Sequence, residues 1–590
     1  MKMSKIYRTA TCGEIRPKDV GKKVRIAGFV QTIRDLGGLV FLDIRDMYGI
    51  TQVVTSSEEQ DVDFASHIPI ESSVTVFGTV RLRDEETINT KIETGLVEIR
   101  IEEIEILGKR TKMLPFSINP DTKEQVREDL RLKYRYLDIR NDKVRDCLIL
   151  RSQIIQYLRS LMIKDGFLEV QTPILTSSSP EGARDYLVPS RLHPGKFYAL
   201  PQAPQQFKQL LMVAGIDKYF QIAPCFRDED ARADRAPGEF YQLDIEMSYA
   251  TQETIFSVVE PVIYKTFKKF SSKKVSKAPF KQIKYKDAML KYGSDKPDLR
   301  NPLEIVDVTD VFDHLELRAF KDMQVRIIST HDVADQPRSF FEGMTNYAID
   351  DLKAKGLAWL RIMEDGSLQG PIAKFISDDA KKEMLKRTAS KPGDCLFFIA
   401  EVPKIVDKLA GTIRQELGKR LDLIDKDRFE FCWITDFPMF EKDDHDKIQF
   451  SHNPFSMPQG GLKSLIEKDP LDVLAYQYDL VCNGIELSSG AVRNHSIEIM
   501  LKAFEIAGYT EIEVKEKFGA LYDAFQFGAP PHSGIAPGID RMIMLLADTE
   551  NIRDVIAFPL NSKAEDVMMG APSVIKRSLL RDIHIETIKS

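Results

Sequence analysis

Phe226-Arg227-Asp228-Glu229-Asp230 contains four consecutive charged residues and lies between two mostly apolar segments. Residues 219–223 precede this run, and residues 243–247 follow after a second charged stretch at 231–235. Charges at this density cannot be buried without partners, whereas the flanking residues favour strands. The pattern therefore predicts a hairpin in which a charged loop joins two strands. Such a loop can hold an arginine over a polyphosphate and a glutamate beside a base.

A second arginine motif lies far downstream. Gly538-Ile539-Asp540-Arg541 begins the apolar segment 542–546, so Arg541 is expected where a loop enters a helix. Two arginines on rigid elements suit phosphate chemistry, because the guanidinium fork matches phosphate oxygens. Each motif alone is also compatible with a surface ion-pair cluster. Their occurrence in one chain favours the phosphate interpretation.

Composition indicates a globular protein of several domains. The chain has 590 residues, 43% hydrophobic and 29% charged, which is enough for three or four domains. No apolar run approaches the roughly 20 residues of a membrane helix, and residues 1–7 lack an apolar signal core. The six cysteines form no CxxC pair, so neither a zinc ribbon nor a disulfide framework is indicated. A cytoplasmic location is expected.

The net charge of −7 is not typical of a nucleic-acid binder, but the charge is unevenly distributed. Residues 1–50 hold ten Lys and Arg against five Asp and Glu, whereas residues 51–110 hold six against thirteen. A basic edge on an acidic protein can still attract a polyanion. On charge alone, a solvated surface without a partner explains the pattern equally well.

Residues 1–110 are expected to form a small β-barrel such as an OB-fold. Apolar residues alternate with period two in 24–30 and 39–45, and residues 74–80 and 97–106 supply further strands. Five short strands with glycine-rich turns are typical of that barrel.

Phe41 lies on one face of the second predicted strand, opposite the apolar face of Val40 and Leu42. It can serve as a stacking platform for a nucleobase, flanked by Arg34 and Gln52. The alternative, in which Phe41 is a core residue, stays open.

Downstream of the barrel, residues 111–140 are expected to be a linker. A long helix is predicted over about 143–164, with Ile155, Leu158 and Met162 on one stripe and Gly166 at its end. A short strand at 167–170 precedes Pro173, and together with the helix it forms a possible self-association edge.

The remaining sequence divides into four further blocks. Residues 141–298 and 425–560 carry the motifs, and residues 299–424 change to mixed strands and helices with few chemical groups, which predicts an inserted domain. Residues 561–590 are expected to pack as an extension.

These motifs, in this order, resemble those of bacterial-type aspartyl-tRNA synthetases, which are class II aminoacyl-tRNA synthetases. The resemblance covers the whole chain and is carried by residues 180–186, 207–211, 226–230, 292–298, 538–541 and 551–559. It implies an α+β multidomain protein with an N-terminal OB-fold anticodon-binding barrel. It further implies a catalytic antiparallel sheet of six to seven strands flanked by helices, and an inserted α+β domain. A homodimer is implied as well.

The resemblance also implies a two-step reaction. The α-carboxylate of aspartate attacks the α-phosphorus of ATP, and the terminal ribose hydroxyl of tRNA-Asp then attacks the activated carbonyl. Catalysis in such a scheme depends on positioning and on stabilising charge. A divalent metal, Mg²⁺, is expected to offset the phosphate charge.

The family positions assign the nucleotide site. Arg227 would contact the α-phosphate, Glu229 the adenine amino group and Phe240 one adenine face, while Arg541 would cover the other face and reach the γ-phosphate. Asp228, Gly538, Ile539 and Asp540 complete the ATP set.

Asp479 and Glu486 flank Asn483-Gly484, and a hairpin there brings their carboxylates together as magnesium ligands. Arg227, Arg541 and Glu486 are the expected catalytic residues. Without the resemblance, a surface carboxylate pair remains an alternative.

The same positions assign the aspartate pocket. Arg493 and Lys208 would bind the side-chain carboxylate and His452 would close the pocket. Asparagine has the same shape but would leave two buried cations without a counter-charge, so no editing domain is required. Glu181, Gln205 and Asp244 would hold the substrate ammonium. The other expected residues of the pocket are Gln206, Phe207 and Arg227.

The chain departs from the common family pattern at a few positions. These are Ala203, Asn453, Ser488-Ser489, the run 236–239 and Phe29. None of them removes an expected charge.

Four rival interpretations remain. An asparaginyl-type synthetase or an asparagine synthetase relative would share the catalytic sheet, and a silent RNA-binding paralogue would lack the arginines and carboxylates. A non-discriminating enzyme would also charge tRNA-Asn. Leu36, where dual-specificity relatives tend to carry histidine, favours tRNA-Asp alone.

Overall fold

The computed structural model describes residues 6–56, 62–118, 126–178, 183–312 and 320–588. The chain forms two compact units, Met1–Arg145 and Asp146–Ser590. Across the described ranges, none of the helices combines the length and apolar character needed to cross a membrane.

The first unit is built on a closed five-stranded barrel with the strand order β1-β2-β3-β5-β4. All neighbouring pairs are antiparallel except β3 and β5. The elements are β1 (Lys23–Asp35), β2 (Leu39–Arg45), β3 (Ile50–Ser56), α1 (Val62–Ser66), β4 (Ser73–Leu82), β5 (Val97–Gly108), α2 (Glu128–Lys133) and α3 (Arg135–Asp138).

The barrel interior confirms the alternation seen in the sequence. Val40, Leu42 and Ile44 of β2 are buried in the core, whereas Phe41 between them is half-buried on the opposite side. The OB-fold prediction is therefore confirmed, with apolar side chains at every second position turned inward.

The long helix α4 (Asp142–Lys164) matches its predicted length, but its buried stripe is displaced by one position at its start. Ile154, Leu158 and Met162 are fully buried at spacing four, and Ile155 is only partly buried. Ile155 packs against the same core as Leu158 and Met162, as the predicted stripe requires, and the neighbouring Ile154 is the isoleucine that is fully buried.

The second unit contains an eight-stranded sheet with the order β12-β19-β22-β23-β24-β10-β9-β6. The elements before the inserted block are β6 (Leu168–Glu169), β7 (Leu187–Pro189), β8 (Phe197–Ala199), α5 (Gln205–Val213), β9 (Lys218–Arg227), β10 (Gly238–Ser248), α6 (Gln252–Phe270), β11 (Lys274–Val275), β12 (Lys281–Lys284) and α7 (Tyr285–Tyr292).

The inserted block forms its own five-stranded sheet with the order β13-β14-β17-β15-β16, covered by helices. Its elements are β13 (Ile305–Asp307), α8 (Thr309–Phe312), β14 (Gln324–Thr330), α9 (Arg338–Asn346), β15 (Ala358–Ile362), β16 (Leu368–Gln369), α10 (Asp378–Thr388), β17 (Cys395–Glu401) and α11 (Pro403–Arg420). The mixed pattern of this block in the sequence thus corresponds to a separate α+β fold.

The chain then returns to the large sheet and completes it. The elements are β18 (Arg428–Phe429), β19 (Phe431–Thr435), β20 (Phe440–Lys442), β21 (Ile448–Phe450), α12 (Gly461–Glu467), β22 (Gln477–Cys482), β23 (Ile485–Arg493), α13 (Ile497–Ile506), α14 (Glu511–Phe525), β24 (His532–Ile535), α15 (Ile539–Leu546) and α16 (Arg577–Asp582).

The large sheet has more strands than the six to seven expected. Its six central strands are antiparallel, and the two edge strands, β6 and β12, are each parallel to their neighbour. A parallel pair needs a long crossover connection. The inserted block lies within the crossover from β12 to β19, so it enlarges a connection that is long in any case and leaves the hydrogen-bonded ladder intact.

The inserted block is tied to α7 by a close backbone contact. Gly293 caps α7 in a left-handed conformation with φ of 67°. A β-carbon there would lie 2.1 Å from the carbonyl oxygen of Asp407 and 2.5 Å from the α-carbon of Gly411, both in α11. Buried Arg414 of α11 also donates to the carbonyl oxygens of Asp298, Asn301 and Leu303. The segment after α7 is therefore held rigidly.

Candidate active site

A cavity of about 670 Å³ opens on the large sheet, between the β9–β10 hairpin and the start of α15. Side chains from distant parts of the chain line this cavity, and they include Arg227, Glu229, Phe240, Asp244, Lys208, Gln205, His452, Asp479, Glu486, Arg493, Asp540 and Arg541.

The β9–β10 hairpin has the arrangement expected from the sequence. Arg227 ends β9 opposite Gly238, which begins β10. The Arg227 guanidinium lies 5.0 Å from the centroid of the Phe240 ring. Its buried Nε has no hydrogen-bond partner among the described residues. An arginine that is held by a ring and keeps an unused donor suits an anionic ligand.

Arg541 enters the same cavity from the first turn of α15. The neighbouring Asp540 fixes this turn on β10, since it accepts from the backbone N–H of Tyr241 at 2.8 Å and pairs with Arg151. Arg541 Nη1 donates to the carbonyl oxygen of Glu486 at 2.6 Å. The two arginines therefore share one cleft although they lie far apart in the chain.

Two residues of the hairpin loop, Asp234 and Arg235, form ion pairs with charged side chains of the cleft. The carboxylate of Asp234 lies 3.4 Å from Arg541 Nη2, and Arg235 Nη1 lies 2.6 Å from Glu229 Oε2. The loop thus supplies an anion, Asp234, for Arg541 and a cation, Arg235, for Glu229.

Asp479 and Glu486 lie on β22 and β23, which Asn483 and Gly484 join in a tight turn with φ of 52° and 83°. Positive φ at both residues is typical of a type I′ hairpin. Asp479 is buried, and its Oδ1 lacks a hydrogen-bond partner in the described part of the chain. Burial, and next the nearby Glu486 carboxylate, raise the pKa of Asp479 well above its ordinary value.

This pair fits a divalent cation. An unused buried carboxylate oxygen beside a second carboxylate is relieved by a bound positive charge. Among the residues described, no cluster of three or more histidine, cysteine, aspartate and glutamate side chains could hold a metal ion. Two protein carboxylates, with further ligands from water and phosphate, are the usual magnesium environment.

Lys296 lies beside the carboxylates of Asp479 and Glu486. It belongs to the segment 292–298 that carries part of the family resemblance, but no role was predicted for it from the sequence. Its Nζ is 2.6 Å from Asp295 Oδ2 and 3.2 Å from Glu486 Oε2. Burial alone would lower the pKa of Lys296, but the carboxylates of Glu486, Asp295 and Asp479 outweigh burial and raise it.

A buried cluster of four charged side chains lies at the floor of the cavity, and three of them, Lys208, Asp244 and Arg493, line it. Lys208 Nζ lies 2.6 Å from Asp244 Oδ1 and 3.4 Å from Glu246 Oε2, and Arg493 Nε donates to Glu246 Oε1 at 3.0 Å. Each of these side chains is at most 2% exposed. Arg493 Nη1 and Asp244 Oδ2 are buried without a hydrogen-bond partner among the described residues. The cluster therefore presents one spare donor and one spare acceptor.

The cluster corrects the expectation that Lys208 and Arg493 form an unneutralised cationic hole. Their positive charges are balanced by Asp244 and Glu246, because isolated charges cannot be buried. Burial raises the pKa of Asp244, and Lys208 only partly offsets this effect. Burial acts on Glu246 too, but Arg493 and then Lys208 outweigh it and lower the pKa of Glu246.

Glu246 was missed in the sequence although a signal existed. It stands two residues after Asp244 on β10, and residues at this spacing share one face of a strand. Lys296 lies in the segment 292–298, one of the motifs of the family resemblance, but no local pattern predicts its approach to Glu486.

Other predicted residues are distributed unevenly around the cavity. Gln205 lines it, whereas Gln206 and Phe207 lie on α5 outside its lining. His452 is exposed at the rim, with its ring 5.0 Å from the ring of Phe437. The residues Asp228 and Ile539 flank lining residues without lining the cavity themselves, and Glu181 falls outside the described residues.

The predicted base-binding residues of the barrel lie together. Phe41 pairs with Arg34 across β1 and β2, and Arg34 Nη2 donates to Gln52 Oε1 at 2.9 Å. A half-buried ring bordered by a guanidinium and an amide suits a single-stranded base.

A hydrogen-bond chain fixes the tautomer of His532 beneath the charged cluster. Gln205 donates to Gln209 Oε1 at 3.0 Å, and this orients the Gln209 amide to donate to His532 Nε2. His532 Nδ1 then donates to the carbonyl oxygen of Pro530 at 2.8 Å. Burial lowers the pKa of His532 below its ordinary value of 6.5.

The neutral His532 predicts a pH dependence of stability. The unfolded chain takes up a proton as the pH falls through 6.5, and the folded chain does so only at lower pH, so stability is lost below pH 6.5. We expect the melting temperature of the wild type to fall more steeply between about pH 6.5 and pH 5.5 than that of His532→Asn. The control is His445→Asn, at an exposed histidine. Equal slopes for His532→Asn and the wild type would contradict the prediction.

Comparisons with known proteins place these features in a family. The model of the class II tRNA synthetases (D, K and N) matches residues 127–562, and that of the OB-fold nucleic acid binding domain matches residues 24–107. The chain is 55% identical to an aspartate–tRNA(Asp/Asn) ligase of Wolbachia pipientis, covering 99% of this chain and all of the relative. It is 54% identical to an aspartate–tRNA ligase of Streptomyces avermitilis, covering 99% of each chain.

Solved structures agree on the fold. A putative aspartyl-tRNA synthetase from Leishmania major superposes with a TM-score of 0.59 at 20% identity, covering 95% of both chains. The asparaginyl-tRNA synthetase of Pyrococcus horikoshii, complexed with asparaginyl-adenylate, superposes with a TM-score of 0.57 at 21% identity, covering 93% of this chain and 97% of that one.

Proposed function

The chain belongs to the class II tRNA synthetase family (D, K and N), and we propose that it is an ATP-dependent aspartate–tRNA ligase. One observation carries the proposal: Arg227 and Arg541 line the same cavity as Lys208, Arg493 and Asp244, three members of the buried charged cluster. A site for phosphate groups thus adjoins a site for a small charged amino acid.

The reaction has two steps. An oxygen of the aspartate α-carboxylate forms a bond to the α-phosphorus of ATP, the bond to the bridging oxygen breaks, and pyrophosphate leaves. The 3′-hydroxyl of the tRNA then attacks the carbonyl carbon of the aspartyl-adenylate, and AMP leaves. Neither step needs a covalent bond to the enzyme, so the side chains act through position and charge.

The nucleotide would be bound by the two arginines and the hairpin. The spare Nε of Arg227 supports a role at the α-phosphate, where negative charge develops during attack. Arg541 would leave Asp234 and bind terminal phosphate oxygens, and Glu229 would leave Arg235 to accept from the adenine amino group. Phe240 would then stack on adenine.

Asp479 and Glu486 would hold magnesium. Bound there, the ion offsets the negative charge of the phosphate oxygens. The two carboxylates are oriented by the tight turn between β22 and β23, and the pKa of Asp479 reflects the lack of a full counter-charge.

Aspartate would be recognised by the spare groups of the buried cluster. Arg493 Nη1 is available for the side-chain carboxylate and Asp244 Oδ2 for the ammonium. The carboxylate of aspartate can form a charge-assisted hydrogen bond with Arg493 Nη1, whereas asparagine offers only a neutral amide oxygen, which is a weaker acceptor.

The proposed anticodon contact gives a test of the barrel. Stacking on an aromatic ring contributes about 1–3 kcal/mol per base, so Phe41→Ala is expected to lower tRNA charging by roughly 10- to 100-fold. ATP–pyrophosphate exchange should be unchanged, because that step needs no tRNA. Phe64→Ala, an exposed phenylalanine of α1, is the matched control. An equal loss of charging and exchange in Phe41→Ala would show that Phe41 stabilises the barrel instead.

Aminoacylation of purified tRNA-Asp and tRNA-Asn with labelled aspartate, side by side, tests the function. Charging of tRNA-Asp is expected, and its absence would refute the proposal. A second candidate, charging of both tRNAs, is favoured by the name of the Wolbachia relative. Leu36, 70% exposed beside the β1–β2 turn, supports the narrower specificity expected from the sequence.

A homodimer is also part of the proposal. Ile163, Leu168, Ile174 and Leu175, around the end of α4 and the edge strand β6, are between 47% and 59% exposed. A second copy that covers these side chains would remove them from water. Light scattering at micromolar concentration tests this, and a monomer would contradict it.

Domain borders near residues 110, 140, 298, 424 and 560 and a cytoplasmic location remain proposals.

A further inference from the structure

Lys296 is the feature of the cleft that the proposed chemistry does not use. Its ammonium contacts Glu486, one of the two proposed metal ligands, at 3.2 Å, and is also held by Asp295 at 2.6 Å. On the other side of Glu486, Arg541 Nη1 lies 3.8 Å from Oε1. Glu486 is therefore already neighboured by two cations.

We propose that Lys296 is a built-in counter-cation of the metal carboxylates, which keeps free divalent ions from the site until a nucleotide brings one with it. The inference rests on the proposed metal-binding role of Asp479 and Glu486.

The charge balance supports this order of binding. Lys296 and Arg541 contact Glu486, and they are shared with Asp295, Asp479 and Asp234, so four carboxylates surround two cations. A free divalent ion would have to displace Lys296 from Glu486 and would be repelled by both cations. ATP adds about four negative charges, which outweigh the repulsion by the two cations and favour entry of the metal with the nucleotide.

The backbone that carries Lys296 is fixed while its side chain remains adjustable. The Lys296 backbone N–H donates to Ser294 Oγ at 3.0 Å, and Gly293 packs directly on Gly411 of α11. Arg414 of α11 binds three carbonyl oxygens of the following segment. The ammonium itself is on a flexible four-carbon stem and is 37% exposed, so it can leave Glu486 without a backbone movement.

Manganese binding to the whole enzyme, followed by electron paramagnetic resonance of the free ion, tests the inference. Four proteins are compared, with and without α,β-methylene-ATP: the wild type, Lys296→Gln, Lys296→Arg and Lys284→Gln. Lys284 is a matched control because it is 70% exposed and pairs with Asp436 at 3.4 Å outside the cleft.

Without nucleotide, Lys296→Gln is expected to bind Mn²⁺ at least about tenfold more tightly than the wild type, since one repelling charge is gone. Lys296→Arg and Lys284→Gln should bind like the wild type. The melting temperature of Lys296→Gln should fall in metal-free buffer and recover when Mn²⁺ is added, because the freed carboxylates regain a cation.

Two outcomes would overturn the inference and are distinguishable. If all four proteins bind Mn²⁺ equally without nucleotide, but bind it normally with the analogue, Lys296 does not exclude metal and the proposed metal site stands. If none binds Mn²⁺ even with the analogue, the metal site itself is wrong and the inference falls with it.

Discussion

Arg493→Lys is expected to lower aspartate-dependent ATP–pyrophosphate exchange by about 10²–10³-fold, which corresponds to about 3–4 kcal/mol. Lysine keeps a positive charge near Glu246, so the buried pair can survive. It cannot also supply Nη1, the donor that is left unpaired in the cavity. The aspartate carboxylate would lose its fixed partner while the nucleotide groups stay in place.

Two measurements isolate this effect. Binding of an ATP analogue, measured by calorimetry, should be the same in Arg493→Lys and in the wild type. The matched control is Arg338→Lys, because Arg338 is 83% exposed and pairs only with a neighbouring glutamate in its helix. Exchange that survives nearly intact in Arg493→Lys would refute the assignment of the aspartate pocket.

Glu246→Gln is expected to destabilise the ligand-free protein by about 3–5 kcal/mol, because it removes one carboxylate from a buried cluster. Arg493 and Lys208 would then share only Asp244, and one positive charge would stay buried without compensation. The pKa of Glu246 is lowered chiefly by Arg493, so its contribution is present above its ordinary value of 4.5 and is lost as the pH falls through the folded value.

Ligand rescue gives this prediction a second measurement. Aspartate brings an additional carboxylate, so it should raise the melting temperature of Glu246→Gln by more than it raises that of the wild type. Glu342→Gln, at the exposed partner of Arg338, controls for the substitution itself. A melting temperature of ligand-free Glu246→Gln equal to the wild-type value would mean that the cluster does not depend on this carboxylate.

The elements that carry the motifs could be predicted because their signals are local. The β9–β10 hairpin, the start of α15 and the barrel strand β2 each follow from alternation, turn residues or capping within a few positions. The turn at Asn483-Gly484 is of the same kind, since the two residue types adopt positive φ readily.

Long-range pairing could not be predicted in the same way. Glu246 on β10 contacts Arg493 on β23 across the intervening strand β24, although the two residues are 247 positions apart in the chain. The approach of Lys296 to Glu486 likewise depends on how the segment after α7 is held by α11. The short strand at 167–170 was predicted, but the parallel direction of the two edge strands was not, because a strand of two to four residues carries too few side chains to show its direction.

The placement of the inserted block between β12 and β19 has a consequence for synthesis on the ribosome. β12 has β19 as its only neighbour in the sheet of the described chain, and β19 is translated after the whole inserted block. At a translation rate of 5–20 residues per second, the backbone edge of β12 remains unpaired for roughly 7–30 s. The inserted block can fold during this time, and its helix α11 can then pack against the segment just after α7. The nascent chain thus completes the insert before the edge of the catalytic sheet can close.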